Sequence, residues 1–222
     1  MGNNNTETIV IYGAGGHAKV IADILRLTEQ YEIIGFLDDN NPQKYGNDFY
    51  GSYIIGGKEK LNLIKKNGTV NIIIGFGNNY IRLRLGGMLK KIGFNLVSAI
   101  HPTSILARDI SIGPGTVVAA GVIINPESHI GENVIINTNV TIDHECNIQD
   151  GVHISPGVII AGNVNVGKGS WIGVGAIISD HIIIGSGSII GAGAVVVNNI
   201  PNDVVAYGFP AKPIRRVETN DW

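Results

Sequence analysis

Charge is scarce in this chain. Only 15% of its 222 residues are Asp, Glu, Lys or Arg, against about 25% in an ordinary soluble domain. The 16 basic and 18 acidic side chains leave a formal charge of −2, so the basic excess of a nucleic-acid binder is missing. Aromatics are also sparse, at 6%. One cysteine, Cys146, excludes an internal disulfide framework. The opening Met1-Gly2-Asn3-Asn4-Asn5 lacks a basic-then-apolar signal and offers little support for a myristoylation start, so a cytoplasmic protein is expected. The uncharged stretch Ile182–Val197 is 16 residues long with four glycines, short of the ~20 apolar residues of a membrane span.

What is abundant is glycine, 31 residues, and aliphatic side chains in register. Stepping six residues at a time from Leu106 through Ile112, Val118 and Ile124 to Val196 meets 16 consecutive Ile, Leu or Val residues. Four places after each comes a smaller residue, in a series from Ile110, Thr116, Val122 and Ser128 through Cys146 to Ala194. A period of six suits neither an amphipathic helix nor an alternating strand. It predicts a parallel β-helix, three hexads to an 18-residue coil, with both registers pointing inward and coils stacked about 4.8 Å apart. The narrow bore accounts for Trp171 being the one aromatic between Leu106 and Val196. Cys146 is then a small inward side chain rather than a nucleophile.

The first hundred residues read differently. Thr8–Tyr12 is a buried strand, followed by Gly13-Ala14-Gly15-Gly16-His17 and a helix over 18–27. A second strand, Ile33–Leu37, ends on Asp38-Asp39, and a third, Asn71–Ile74, leads through Gly75-Phe76-Gly77-Asn78-Asn79 into a helix to Lys91. A short strand, Asn95–Val97, precedes the coils. Such alternation predicts a small Rossmann-like parallel α/β domain over 1–100, with the β-helix over 101–222. A glycine turn entering a helix lets phosphate approach backbone N–H groups, and acidic residues closing the second strand lie where ribose or base would sit. Gly15, Gly16, His17, Asp38, Asp39 and Gly77 are therefore the candidate nucleotide contacts. The G-x-G-x-x-A spacing approaches a dinucleotide fingerprint, but the domain is short for one. A mononucleotide is preferred over a hydride-transfer cofactor or a purely structural turn.

Among six histidines, His144 lies in the polar run Asn137-Thr138-Asn139-Val140-Thr141-Ile142-Asp143-His144-Glu145-Cys146. Counting from Ile142, His144 and Glu145 face outward. Gly162 is one coil above His144, which would open space beside the imidazole and leave a reachable N–H for an oxyanion. His153 lies half a coil away, on another part of the prism. The two histidines could meet only in a groove between neighbouring chains of an oligomer.

The coils and their closing Gly208-Phe209-Pro210-Ala211-Lys212-Pro213 resemble the left-handed β-helix acyltransferases, which implies left-handed coils, homotrimers and acyl-CoA donors. The whole chain resembles the nucleotide-amino-sugar N-acetyltransferases of the bacillosamine (PglD-like) type, with sialic-acid (NeuD-like) relatives. The residues that carry this are Gly15-Gly16-His17, Phe36-Leu37-Asp38-Asp39, Gly77-Asn78-Asn79, Asn137-Thr138, Ile142 to Cys146, Val152-His153-Ile154, Ala161-Gly162-Asn163 and Gly208 to Lys212. The resemblance implies acetyl-CoA as co-substrate, no metal, and an acceptor amine on a nucleotide-linked, first of all UDP-linked, amino-deoxy sugar. It implies His144 as general base, supported by Glu145 with Asp143 as the competing carboxylate, and Asn137 in the acceptor site. It further implies His153, Val174 and Ala192 at acetyl-CoA, with Lys212, Arg215 and Arg216 near its phosphates. O-acetylation of a sialic-acid-like sugar is the nearest alternative. A β-helix zinc hydratase using His129, His144 and His153 and a non-catalytic nucleotide-binding scaffold stand further off.

Overall fold

Short apolar strands alternating with helices build one layer of the molecule, and stacked coils build the other. The computed structural model describes residues 6–221; Met1–Asn5, read above as carrying no leader, lies outside the described residues. The strands and helices of the first layer are β1 (Glu7–Tyr12), α1 (Gly16–Thr28), β2 (Tyr31–Leu37), β3 (Asp48–Phe49), β4 (Ser52–Gly56), α2 (Leu61–Lys66), β5 (Asn71–Ile74), α3 (Asn79–Lys91) and β6 (Asn95–Leu96). Their sheet runs β3-β4-β2-β1-β5-β6, parallel except for the β3–β4 hairpin. The hairpin and α2 fill a stretch in which the sequence pattern shows no element. A two-residue strand and a six-residue helix are too short for a periodic signal.

Strand β1 sits between β2 and β5, so the chain leaves its carboxyl end in one direction while β5 lies on the other side. That reversal opens a crevice at the strand ends, the place where open α/β sheets take ligands. The turns Gly13–His17 and Gly75–Asn78 border it.

From Ala99–Ile100 onward the chain winds as a parallel β-helix. Paired residues are 18 apart, such as Ile123 with Thr141 and Ile135 with His153. The three faces are sheets of eight, six and five strands, the first extended by the antiparallel pair Val204–Gly208 and Ala211–Arg216. The aliphatic register is buried from Val118 to Val196, with Leu106 and Ile112 partly open at the first coils. The polar members of the second register are also buried, and each has a partner. Thr116, Ser128, Ser170 and Ser188 donate to the carbonyls of Gly131, Asp143, Gly185 and Pro201 at 2.6–2.9 Å, which removes the cost of an unpaired buried hydroxyl.

The two layers share a core. Val97, Ala99 and Val117 belong to one apolar cluster with Ile9, Ile21, Phe36 and Ile73. No helix among the described residues is long and apolar enough to cross a membrane.

Candidate active site

The turn that carries His144 is tied from inside the prism. Ser128, one coil below, donates to the Asp143 carbonyl at 2.8 Å and accepts from Cys146 N–H at 3.1 Å. The Cys146 thiol is buried and reaches the Ala161 carbonyl at 3.2 Å; burial pushes its pKa up. With both ends held, the middle of the turn projects outward, and the His144 side chain is 56% exposed.

Glu145 adopts φ 57°, a left-handed conformation that costs a non-glycine residue about 1–2 kcal/mol. In a strand, neighbouring side chains would diverge, which would leave Glu145 away from the His144 ring. In this corner the carboxylate instead folds back, its Oε2 lying 2.9 Å from His144 Nδ1. Asp143 is engaged elsewhere, accepting from the His144 backbone N–H and from Asn125 Nδ2, both at 2.8 Å. The Asn125 bond first, then the His144 N–H, lowers the Asp143 pKa. With Nδ1 donating to Glu145, the other ring nitrogen, Nε2, is left as the free acceptor.

Gly162 lies under this ring. A Cβ added there would fall 2.7 Å from Cε1 and 2.8 Å from Nε2 of His144. The space that glycine clears is therefore filled by the imidazole itself, and Gly162 is buried rather than open. Its N–H donates to no other group among the described residues.

The expected nucleotide contacts divide into two kinds. At Gly15 and Gly16 an added Cβ would meet nothing within 4 Å, and α1 has no side-chain cap. Helix α3 starts beside the same crevice, yet its N-terminus is closed by Asn78 Oδ1 accepting from Ile81 N–H at 2.9 Å. Uncapped N–H groups thus face open space at α1 alone of the pair, where an anion would be stabilised. Asp39 is exposed, held by Tyr12 Oη at 2.6 Å and Lys58 N–H at 2.7 Å. Asp38 is buried, and its oxygens accept from Asn40 N–H and Asn41 Nδ2, so it shapes the turn. His17 offers no open Nε2 to a phosphate. Its Nε2 is sealed from solvent without a partner, and its pKa is pushed down to about 3 by burial, then by Arg82 and His153.

His153 lies on the prism face that meets the first layer. Its ring stacks on Trp171, centroids 5.5 Å apart and 6° from parallel, and its Nε2 is likewise sealed and unpartnered. Burial and then the Arg82 charge push its pKa down to about 4, against a raising contact with the Gly77 backbone. Asn137 accepts from Thr138 N–H at 2.9 Å and so caps its own turn. Val174 and Ala192 sit 18 residues apart on one corner, exposed, with backbone N–H groups that donate to no other group among the described residues. Lys212 is exposed, whereas Arg215 is held bidentately by Asp221 at 2.6 Å, and Arg216 reaches the Asn202 carbonyl at 3.3 Å. The zinc-hydratase set is spread over the prism: His129 pairs with Ser111 on the five-stranded face, His144 occupies a corner, and His153 faces the first layer. The sequence pattern missed Tyr12, Ser128 and Arg82, whose roles depend on partners 15 to 70 positions away.

Comparison with known proteins accounts for both layers. The PglD N-terminal domain family matches residues 8–89. Across nearly the whole length, the chain superposes on a histidine-to-asparagine mutant of perosamine N-acetyltransferase from Caulobacter crescentus, solved in complex with CoA and GDP-perosamine. The TM-score is 0.90 at 36% identity, over 94% of this chain and 97% of that one. The chain belongs to the left-handed β-helix, PglD-like nucleotide-amino-sugar N-acetyltransferase family. A second similar structure, the acetyltransferase domain of PglB from Neisseria gonorrhoeae in complex with acetyl coenzyme A, is 37% identical with a TM-score of 0.88, over 95% of this chain and all of that one. A curated relative, UDP-N-acetylbacillosamine N-acetyltransferase of Bacillus subtilis, is 35% identical over 115 residues, 51% of this chain. The matched stretch spans 52% of that relative's length.

Proposed function

We propose that this chain transfers the acetyl group of acetyl-CoA directly to the amino group of a nucleotide-linked amino-deoxy sugar. The observation that carries this reading is the Glu145–His144 pair at 2.9 Å, with an exposed ring whose second nitrogen is free. In the reaction the acceptor nitrogen attacks the thioester carbonyl while His144 Nε2 takes the amine proton. The charge that develops on the carbonyl oxygen is met by the unpaired Gly162 N–H. Collapse expels the CoA thiolate, which takes up a proton. Cys146 is buried and no acyl-enzyme is formed.

The crevice at β1 and β5 binds the nucleotide half, with its phosphates at the uncapped N-terminus of α1 and its base or ribose at Asp39; a UDP-linked acceptor is the first candidate. The prism binds acetyl-CoA along the corner of Val174 and Ala192, with Lys212 near its phosphates. The sealed Nε2 atoms of His17 and His153 are groups that a buried water would satisfy.

Assembly as a homotrimer is part of this reading. On the six-stranded face, outward residues stack as Ile105, Ile123, Thr141, Ile159, Ile177 and Val195, and Ile105, Ile159 and Ile177 are 65%, 48% and 43% exposed. The five-stranded face carries Ser111, His129, Asn147 and Asn165, with exposed Ile183 at its last coil. An aliphatic column beside a polar one favours burial of the former against copies of itself, and His144 follows directly on the Thr141–Ile142 strand of that face.

Thiol release from acetyl-CoA, measured across UDP-, GDP- and dTDP-linked amino sugars and a sialic-acid-like sugar, tests the proposal. Turnover with a nucleotide-linked amine and none with the free sugar supports it; turnover with the free sugar alone overturns it in favour of O-acetylation.

A further inference from the structure

Helix α3 meets the prism along a corner where Asn133, Gly151 and Gly169 stack 18 residues apart, all with left-handed backbones at φ 53°, 68° and 70°. Contact there is close: a Cβ on Gly151 would lie 2.4 Å from Leu83. Arg82 and Asn79, one turn apart on α3, take the carbonyls at this corner. Arg82 is fully buried. Its Nε donates to Asn133 O at 2.6 Å, and its Nη2 to Gly151 O at 2.8 Å, Val152 O at 3.3 Å and Asn79 Oδ1 at 3.2 Å. Its Nη1 turns back to the crevice and donates to Phe76 O at 3.2 Å and Gly77 O at 2.8 Å. Asn79 Nδ2 extends the fastening one coil further, to Gly169 O and Ser170 O at 3.0 Å.

None of the Arg82 partners is a carboxylate. Burial pushes its pKa down to about 9, still above neutral pH, so a cation with no counter-ion among the described residues lies between the layers. Adhesion alone does not call for it, because apolar replacement of a buried charge is often neutral or stabilising. What distinguishes Arg82 is its reach. One guanidinium touches the loop that borders the nucleotide crevice and the peptide immediately before His153.

We propose that Arg82 is a positioning residue that fastens the Phe76–Asn79 loop to the coil carrying His153, setting the spacing between the acceptor crevice and the acetyl-donor face. The proposal rests on the division of substrates given above. The charge has a second effect: Arg82 and His153 are the charged or titratable groups felt by His17, and Arg82 is the one felt by His153. Burial is the larger cause of both low pKa values and the Arg82 charge adds to it, so each imidazole stays neutral and able to accept a hydrogen bond.

The test compares full-length Arg82→Met and Arg82→Lys with wild type. Its readouts are kcat, the KM of each substrate, and the titration midpoints of the His17 and His153 Cε1–H signals by NMR. Arg82→Met is expected to lower kcat at least tenfold, raise the KM of the nucleotide sugar more than that of acetyl-CoA, and move both midpoints up. Arg82→Lys keeps the charge but not the fork, so its midpoints stay low while kcat still falls. Unmoved midpoints in Arg82→Met, or kinetic constants within threefold of wild type in both variants, overturn the proposal. Should Arg82→Met fail to fold, Asn79→Ala, which cuts the arm to Gly169 and Ser170, must lower kcat with the midpoints unchanged, and wild-type kcat there refutes the fastening. If wild type acetylates none of the sugars, the proposed function fails, whereas the midpoints still judge Arg82.

Discussion

Gly162→Ala perturbs ring placement while keeping the backbone N–H assigned to the oxyanion. The backbone at Gly162 lies outside the left-handed region, so alanine is tolerated there without strain. Its methyl group would lie 2.7 Å from His144 Cε1, roughly 0.7 Å closer than the shortest ordinary contact and further inside the ~3.5–4.0 Å optimum. The coil is pinned by the Ala161 N–H to Ile178 O and Asn163 N–H to His144 O bonds, at 3.0 and 2.9 Å, so the imidazole must be the part that moves. A shift of this size lengthens the 2.9 Å contact with Glu145 and swings Nε2 off line. A misplacement of about 1 Å is worth on the order of 10²-fold in rate, with the 10²–10⁴-fold worth of the whole base as ceiling. The expected result is kcat lower by about 10²-fold, KM of acetyl-CoA within a factor of about three, and Tm within a few degrees. Thiol release measures the first two, kcat with both substrates saturating and KM with acetyl-CoA varied, and calorimetry the third. A variant with wild-type kcat would show that the ring contact has no part in catalysis.

Four other outcomes follow from the same geometry. His144→Ala should reduce kcat by roughly 10²–10⁴-fold while retaining CoA binding by calorimetry; activity within threefold of wild type removes its assignment as base. Asp39→Ala should raise the KM of the nucleotide sugar and leave that of acetyl-CoA nearly unchanged, and the reverse pattern would exchange the roles of the two layers. His17 and His153 titrate near 3 and 4 when folded, against about 6.5 unfolded. The unfolded chain therefore binds more protons in between, and their stabilisation, complete above pH 6.5, is lost as pH falls toward 4. Tm recorded from pH 7.5 to 4.5 should fall less steeply in His153→Gln than in wild type, and parallel curves contradict the burial argument. Finally, co-assembled His144→Ala and His153→Ala chains should regain partial activity, because one interface of a mixed trimer pairs both intact histidines; no recovery in verified mixed trimers places both in a single-chain site.

The β-helix was legible because its signal is local and repeated: a six-residue period persists wherever the backbone must turn every six residues. The strands at Thr8, Ile33 and Asn71 and the glycine turn before α1 were legible for a similar reason, as runs bounded by turn residues. The hairpin at Asp48–Gly56 and helix α2 carry too few residues for either period, and went unseen. At the site, the outward position of His144 and its stacking on position 162 follow from counting in sixes and eighteens. Whether Glu145 or Asp143 holds the ring did not, because it depends on a left-handed φ that a glutamate adopts only when the corner imposes it. Asp38 and Asp39 look equivalent as neighbours, and only their partners distinguish a turn-builder from an exposed acceptor.

The sequence by itself determined the coil, its inward registers, the two-layer order and the corner on which His144 stands, since each depends on spacing along one chain. Tertiary structure alone decided what filled the space above Gly162, sealed the Nε2 of His17, and buried Arg82 among carbonyls of two coils and the Phe76–Gly77 loop. Those depend on which surfaces meet when the layers pack, and packing joins residues such as Arg82 and Val152, 70 positions apart, that no local period relates.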